Sequence, residues 1–495
     1  MRIDRCVPVV IAPTIGASFR LACVVLPLWL AACGGGASDT AATPIPAPGV
    51  ADTQAPVAAL TAPVDFSAGL AGTLALAATA SDDVAVTGVE FQVDGVQVGA
   101  TATAAPYGAS VDTTQYASGQ HIVRVRATDA AGNLSPWANA TVSFGGSQTQ
   151  PAGFTRNENW VTGLGGATAL AQASDGRLFV AQQGGALRVV KNAALLPTPF
   201  LQLTVDSSGE RGLIGVTLHP DFASNGFVYV HYTTPENGVH NRVSRFTANG
   251  DMALAGSELK LVELPALSSA TNHNGGALHF GTDGKFYVGV GDNANSAQAP
   301  DLTKVFGKLL RFNDDGTVPA DNPFFATSTD LARAVWAYGL RNPYTFAVQP
   351  GTGRIHINDV GESTWEEIDL GVAGANYGWP ASEGPSGTSP GITAPLFAYK
   401  HSAAVPPGSG PGGFFTGQAI AGGAFYPDSG PFPGAYRGHY FFADFLSHFV
   451  ARFDVANDAV YAFGTVSGQP VDMLVGADGA LYVLMRDRIA RFSAP

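Results

Sequence analysis

Cysteine is nearly missing from this 495-residue chain: three are present, at positions 6, 23 and 33, and none follows. A body without paired cysteines cannot be stapled by disulfides, so it must hold by packing and by any ions it binds. Charge is scarce too, at 13% of residues, and it leans acidic, with 26 Lys and Arg against 39 Asp and Glu and a net charge of −13. Nucleic acid is therefore not an expected partner, because phosphate binding needs a basic face. A helix-rich fold is not expected either, since helices draw on Lys, Glu and Arg. The apolar run Leu21–Ala32 is too short to cross a bilayer as a helix.

Turn formers and aromatics are plentiful, with 61 Gly, 33 Pro, 29 Phe and 14 Tyr. That mixture predicts an all-β protein of short strands and tight turns. The length exceeds what one hydrophobic core serves, so more than one domain is expected.

Arg2, Arg5 and Arg20 precede the apolar run, which has the proportions of a secretory signal. The run ends in Leu30-Ala31-Ala32-Cys33 followed by three glycines, and this resembles the lipobox of bacterial lipoproteins. The resemblance implies that residues 1–32 are a removed signal peptide and that Cys33 is lipidated. The chain would then be exported and held at a membrane of the cell envelope, the outer membrane being favoured by Gly34 after the cysteine. Removing residues 1–32, with three arginines and one aspartate, makes the remainder more acidic still. Residues 33–54, rich in Ala, Pro, Thr and Gly, read as a flexible tether.

From 55 to 144 the pattern alternates, as in Val89-Glu90-Phe91-Gln92-Val93 and Ile122-Val123-Arg124-Val125-Arg126, with turn signals at Asp94-Gly95 and Gly132-Asn133. These strings resemble bacterial immunoglobulin-like modules and predict a small β-sandwich. Asp82, Asp83 and Asp129 read as turn and capping carboxylates, with a calcium ion as the alternative. Residues 145–156 form a linker.

From 157 to 495 a phrase recurs: a turn, then an apolar strand. Clear copies begin at Asp175-Gly176, Asp283-Gly284 and Asp478-Gly479, and weaker ones at Asn225-Gly226, Gly351-Thr352 and Gly434-Ala435. Six copies at blade-sized spacing predict a six-bladed β-propeller, whose ligand sites lie where loops converge on the central channel.

The densest string is Asn272-His273-Asn274-Gly275-Gly276, followed by a strand that ends at Gly291-Asp292. An imidazole paired with a carboxylate is what a general base needs, because the carboxylate fixes the tautomer, while a hydrogen-bonded turn histidine is the plainer alternative. The segment from Asp359 to Asp369 concentrates carboxylates on a loop, as a hard cation requires, while a solvated acidic loop is the plainer alternative.

These strings, with Gly209-Glu210-Arg211-Gly212 and His219-Pro220-Asp221-Phe222 upstream and Gly339-Leu340-Arg341-Asn342-Pro343 and Asn376-Tyr377-Gly378-Trp379-Pro380 downstream, resemble the pyrroloquinoline quinone (PQQ) dependent glucose and aldose sugar dehydrogenases. The resemblance implies His273 as base toward a sugar's anomeric hydroxyl, Asp292 as its orienting partner, and Arg341 and Asn342 against the quinone's reactive carbonyl. It implies that the carbonyls of Gly361 and Glu362 hold a calcium ion bridging to the quinone, and those of Glu367 and Tyr377 a second, structural one. Glu210 stands where the family has a cofactor-binding glutamine. A sugar substrate and an electron acceptor are the implied partners.

The family's three cationic clamps for the cofactor carboxylates are replaced, near Leu446, Gln469 and Val471. Arg437, His439 and His448 are candidate substitutes. Segments such as Ala421-Gly422-Gly423-Ala424-Phe425-Tyr426 look closer to a divergent branch that includes hedgehog-interacting protein. The leading expectation is oxidation of an aldose to its lactone. The alternatives are a non-enzymatic calcium-stabilised propeller that binds carbohydrate or a protein, and a metal-dependent lactonase.

Overall fold

The computed structural model describes residues 52–494 apart from 65–66, 68–69, 117–118, 145–150, 152, 387–389, 402–415 and 457–458. The expected signal peptide, Cys33, nearly all of the tether and most of the linker lie outside the described residues.

The alternating segment after residue 52 folds as a two-sheet sandwich. One sheet orders Val57–Ala62, Thr73–Ser81 and Tyr107–Asp112; the other orders Val96–Gln97, Val86–Val93, Gly119–Asp129 and Ala138–Phe144. Their inward residues, among them Leu76, Phe91, Val123 and Phe144, make a single core. Asp94 and Gly95 both have positive φ, at 52° and 81°, the geometry that Asp-Gly supplies to a two-residue hairpin. Asp82 accepts from the backbones of Val84 and Ala85, and Asp129 from those of Ala131 and Asn133, so both cap turns.

Six further sheets follow, each with four or more strands in an antiparallel meander, apart from the edge strand Thr416–Gly417 of the fourth, which pairs parallel with Phe397–His401. The first strands of blades 1 to 6 are Ala167–Gln172, Leu213–Leu218, Leu278–Phe280, Pro343–Val348, Ile420–Phe425 and Pro470–Val475, and each touches the next all round the ring. Each of the six recurring phrases proves to be the first turn and second strand of one blade: Leu178–Gln182, Phe227–Thr234, Phe286–Val290, Ile355–Asp359, Tyr440–Asp444 and Leu481–Met485. Second strands lie between two neighbours in the sheet and are buried almost throughout, which is why their apolar signature repeats.

The cores lie between blades rather than within them. Phe179 of blade 1 packs with Val228 and Val230 of blade 2, Tyr229 of blade 2 with Phe286 of blade 3, and Tyr287 of blade 3 with Ile357 of blade 4. The same holds for Ile368 with Phe442, Phe441 with Leu481, and Leu484 with Leu178, which completes the circle. Blade 6 takes its outer strand, Thr155–Thr162, from the start of the ring, paired antiparallel with Arg488–Ser493. Val161 is buried there and Trp160 packs against the same cluster.

Removing residues 155–162 strips blade 6 of its outer strand and leaves the edge of Arg488–Ser493 unpaired. The shortened protein is expected to lose its cooperative thermal transition, followed by circular dichroism; a melting curve like that of the whole chain would refute closure by this strand.

Candidate active site

In a meander, the segment entering a first strand and the connection leaving the second strand lie at the same end of the blade. His273 precedes the first strand of blade 3, and Asp292 follows its second strand, so pleat and meander bring the two together at one mouth of the channel. His273 Nδ1 lies 2.7 Å from Asp292 Oδ1. Asp292 is 1% exposed in its side chain and His273 11%, so the carboxylate is sealed while the imidazole reaches the mouth. A carboxylate can only accept here, so Nδ1 carries the proton and the neutral ring keeps its lone pair on Nε2. Nε2 has no hydrogen-bond partner among the described residues.

Both loops that carry this pair are in left-handed backbone. His273 has φ 55°, Asn293 and Ala294 both have φ 53°, and Gly275 and Gly276 follow at 68° and 151°. Non-glycine residues in this region carry strain that the surroundings must hold in place. The His273 N–H donates to Glu210 Oε2 at 2.7 Å, and its carbonyl accepts from Asn293 N at 3.1 Å. Gly291 is required by proximity: a Cβ there would stand 2.3 Å from the His273 carbonyl oxygen.

Trp379, with no role assigned from sequence, and Asp359, expected only as part of the acidic loop, complete the setting. Trp379 Nε1 donates to Asp292 Oδ2 at 2.9 Å, across 87 residues of chain. Its ring also lies 5.6 Å beneath the Arg341 guanidinium. Asp359 accepts from the backbone N–H of Arg341 at 2.9 Å and of Asn342 at 2.6 Å, and so fixes the turn that presents both. Burial pushes the Asp359 carboxyl up to about 7. Arg341 spends Nη1 on the Val360 carbonyl at 3.0 Å, while its buried Nε has no partner. Asn342, buried, accepts from Gly275 N at 3.0 Å, and Asp292 N donates to the Arg341 carbonyl at 2.8 Å. Of the residues expected at the quinone, the structure thus gathers Glu210, His273, Asp292, Arg341 and Asn342 at one mouth.

The acidic loop leaves the second strand of blade 4 at the same end. Glu383 Oε1 accepts the N–H groups of Glu362, Ser363, Thr364 and Trp365, at 2.8 to 3.2 Å. Because trans peptides set C=O opposite N–H, the carbonyls of Gly361 and Glu362 face away from that carboxylate. Behind them Glu367 and Asp369 lie on the third strand, with Asp359 cross-strand from Glu367. Burial pushes Glu367 up to about 8, and Asp369 well above the carboxylate range, each aggravated by the neighbouring acids. Glu367 accepts from the Gly384 N–H, but neither oxygen of Asp369 has a partner. The Tyr377 hydroxyl is spent on the Leu370 carbonyl at 2.5 Å. The unpartnered oxygens of Asp369, with Glu367 and Asp359 as acidic neighbours, are donors of the type a hard divalent cation takes, so the chemistry of these residues fits calcium.

The candidate substitute cations divide by end of blade. Arg437 and His439 belong to the connection between the first and second strands of blade 5, the far end from His273, where Arg437 bonds the carbonyls of Gly430 and Phe432. His448 follows the second strand and lies at the mouth end, but burial holds its imidazole below the usual value and so disfavours the cation.

Fold and site together define a β-propeller with a histidine bonded to a buried aspartate, and an arginine, at one channel mouth. A family model for glucose/sorbosone dehydrogenase matches residues 165–493, and one for a bacterial immunoglobulin domain matches residues 56–125. The chain belongs to the glucose/sorbosone dehydrogenase family and carries a bacterial immunoglobulin-like module ahead of the propeller. It is 30% identical over 327 residues to the aldose sugar dehydrogenase YliI of Escherichia coli, covering 62% of this chain and 83% of that one. It is likewise 30% identical over 242 residues to quinoprotein glucose dehydrogenase B of Acinetobacter calcoaceticus, covering 43% of this chain and 49% of that one. The crystal structure of the soluble aldose sugar dehydrogenase of Escherichia coli in its apo form superposes with a TM-score of 0.59 at 27% identity, over 69% of this chain and all of that one.

Calcium at about 100 times its dissociation constant is expected to stabilise the protein by about 2.7 kcal/mol, seen as a rise in Tm. Asp369→Asn should remove most of that rise; an undiminished calcium response in the variant would place the ion elsewhere.

Proposed function

We propose that this protein is a PQQ- and calcium-dependent dehydrogenase that oxidises the anomeric carbon of an aldose to the lactone and passes the electrons to an external acceptor. The observation that carries the proposal is the His273–Asp292 pair with Nε2 free at the mouth, beside an arginine that keeps a buried donor unspent. The names of the relatives, an aldose sugar dehydrogenase and a quinoprotein glucose dehydrogenase, support the same class of substrate and cofactor.

The bound quinone supplies an acceptor for the hydride that leaves the anomeric carbon. The chain supplies the rest. His273 Nε2 takes the hydroxyl proton, so that the C1–H bond breaks as the C1=O bond forms. Asp292 holds the ring by Nδ1 and stabilises the imidazolium, while Trp379 and the Ala294 N–H hold Asp292. Arg341 sets a fixed positive charge where negative charge develops, and needs no reorganisation because Asp359 and Val360 already anchor it. The Gly361 and Glu362 carbonyls would hold one calcium ion, and the pocket of Glu367, Asp369 and the Tyr377 carbonyl a second.

The second reading, a calcium-stabilised propeller that binds carbohydrate or a protein without turnover, is favoured by one observation: Leu446, Gln469 and Val471 offer no charge where the family clamps the cofactor. On either reading the immunoglobulin-like module is a spacer, and Cys33 anchors the protein to the cell envelope.

With PQQ, calcium and an aldose, dye reduction should fall roughly 10²- to 10⁴-fold in His273→Ala. Undiminished turnover would remove His273 from the chemistry, and no turnover by the unaltered protein would favour the binding reading. For the anchor, Cys33→Ser is expected to move the protein from the membrane fraction to the soluble fraction; retention in the membrane would contradict lipidation.

A further inference from the structure

PQQ carries three carboxylates, and a trianion held in a partly dry channel needs fixed cations. Arg341 stands on the blade 4 side of the mouth. On the blade 6 side the positions where the family resemblance expects two arginines hold Gln469 and Val471, which are uncharged, and Val471 is buried in the core between blades 6 and 1.

Arg486 was not singled out in the sequence, and it stands directly behind them. It follows the second strand of blade 6, Leu481–Met485, and therefore lies at the same end of the ring as His273. Its N–H donates to the Gln469 carbonyl at 3.1 Å. Its side chain crosses to blade 1, where Nη1 donates to the Ala167 carbonyl at 3.2 Å and Nη2 to Gln183 Oε1 at 2.5 Å. Gln183 is itself committed, donating Nε2 to the carbonyls of Gly209 at 2.6 Å and Arg211 at 3.0 Å, on either side of Glu210.

A guanidinium has five N–H donors, so three on Arg486 are without a partner among the described residues. Among the described residues it forms no ion pair with a carboxylate. Arg211, the nearby arginine on blade 2, differs: it is buried, paired with Asp206 at 2.8 Å and bonded to the carbonyls of Ser268 and Ala270. Through Gln183 the guanidinium is tied to the loop of Glu210, whose carboxylate in turn accepts the His273 N–H, so Arg486 stands on the ring of hydrogen bonds that surrounds this mouth.

We infer that Arg486, braced by Gln183 and Gln469, is the cation that receives a carboxylate of the quinone cofactor on the blade 6 side of the mouth. The inference rests on the dehydrogenase reading and adds an anion-binding residue to it. The brace holds the guanidinium in place before the ligand arrives, so little side-chain freedom is lost on binding. Its planar donors suit a carboxylate better than a lysine would.

The test is a fluorescence titration of PQQ, and separately of its uncharged trimethyl ester, into the full calcium-loaded protein and into Arg486→Gln and Arg486→Lys, with melting curves to verify folding. Arg486→Gln should weaken PQQ binding roughly 10- to 100-fold, Arg486→Lys less, and neither should change ester binding more than about 3-fold. Unchanged PQQ affinity in Arg486→Gln would overturn the inference. So would an equal loss for PQQ and ester, since that marks an arginine that only supports the mouth. Failure of the unaltered protein to bind PQQ at all would overturn the dehydrogenase reading, and the inference with it.

Discussion

Closure of the ring is the constraint on which everything else depends. No disulfide is available to the described residues, and each hydrophobic core is shared by two blades, so no blade is complete without both neighbours. The pairing of Thr155–Thr162 with Arg488–Ser493 joins the two ends of the ring and removes the edge that an open array would expose. Because the first strands are then held against one another around the axis, the loops at their ends have little freedom to choose where they point.

The mouth exploits that rigidity. A belt of hydrogen bonds runs from Arg486 through Gln183 to the loop of Glu210, from Glu210 to His273, and on through Asp292 to Trp379 and the backbone of Arg341. It crosses five blades. Left-handed backbone at His273, Asn293 and Ala294 persists because each end of the belt is fixed elsewhere. Buried carboxylates are of two kinds here. Asp292 and Asp359 are satisfied by donors and hold geometry, whereas both oxygens of Asp369 are left without a hydrogen-bond partner among the described residues.

Much of this was legible beforehand. The recurring turn-and-strand phrase marked all six second strands, since burial on both faces imposes the same apolar run each time. His273 and Asp292 were legible as a pair because they flank one blade's first two strands and are separated by only 19 residues. Trp379, Asp359 and Glu383 were not, for each acts on a segment supplied by another part of the chain or through an amide that carries no sequence signature. Arg437 and His439 stood out in the sequence as sources of charge and Arg486 did not, yet Arg437 and His439 lie at the end of their blade opposite His273.

The amino-acid sequence by itself determined the all-β class, the six-bladed propeller with a sandwich ahead of it, and the pairing of His273 with Asp292. These rest on local chemistry: turn residues, strand periodicity and a short motif. Only the tertiary structure decided which charges reach the channel, which carboxylates are left without partners and which tryptophan closes over Asp292. Successive connections in a meander alternate between the two ends of the ring, so neighbours in sequence can face opposite mouths, while residues far apart in sequence meet at one.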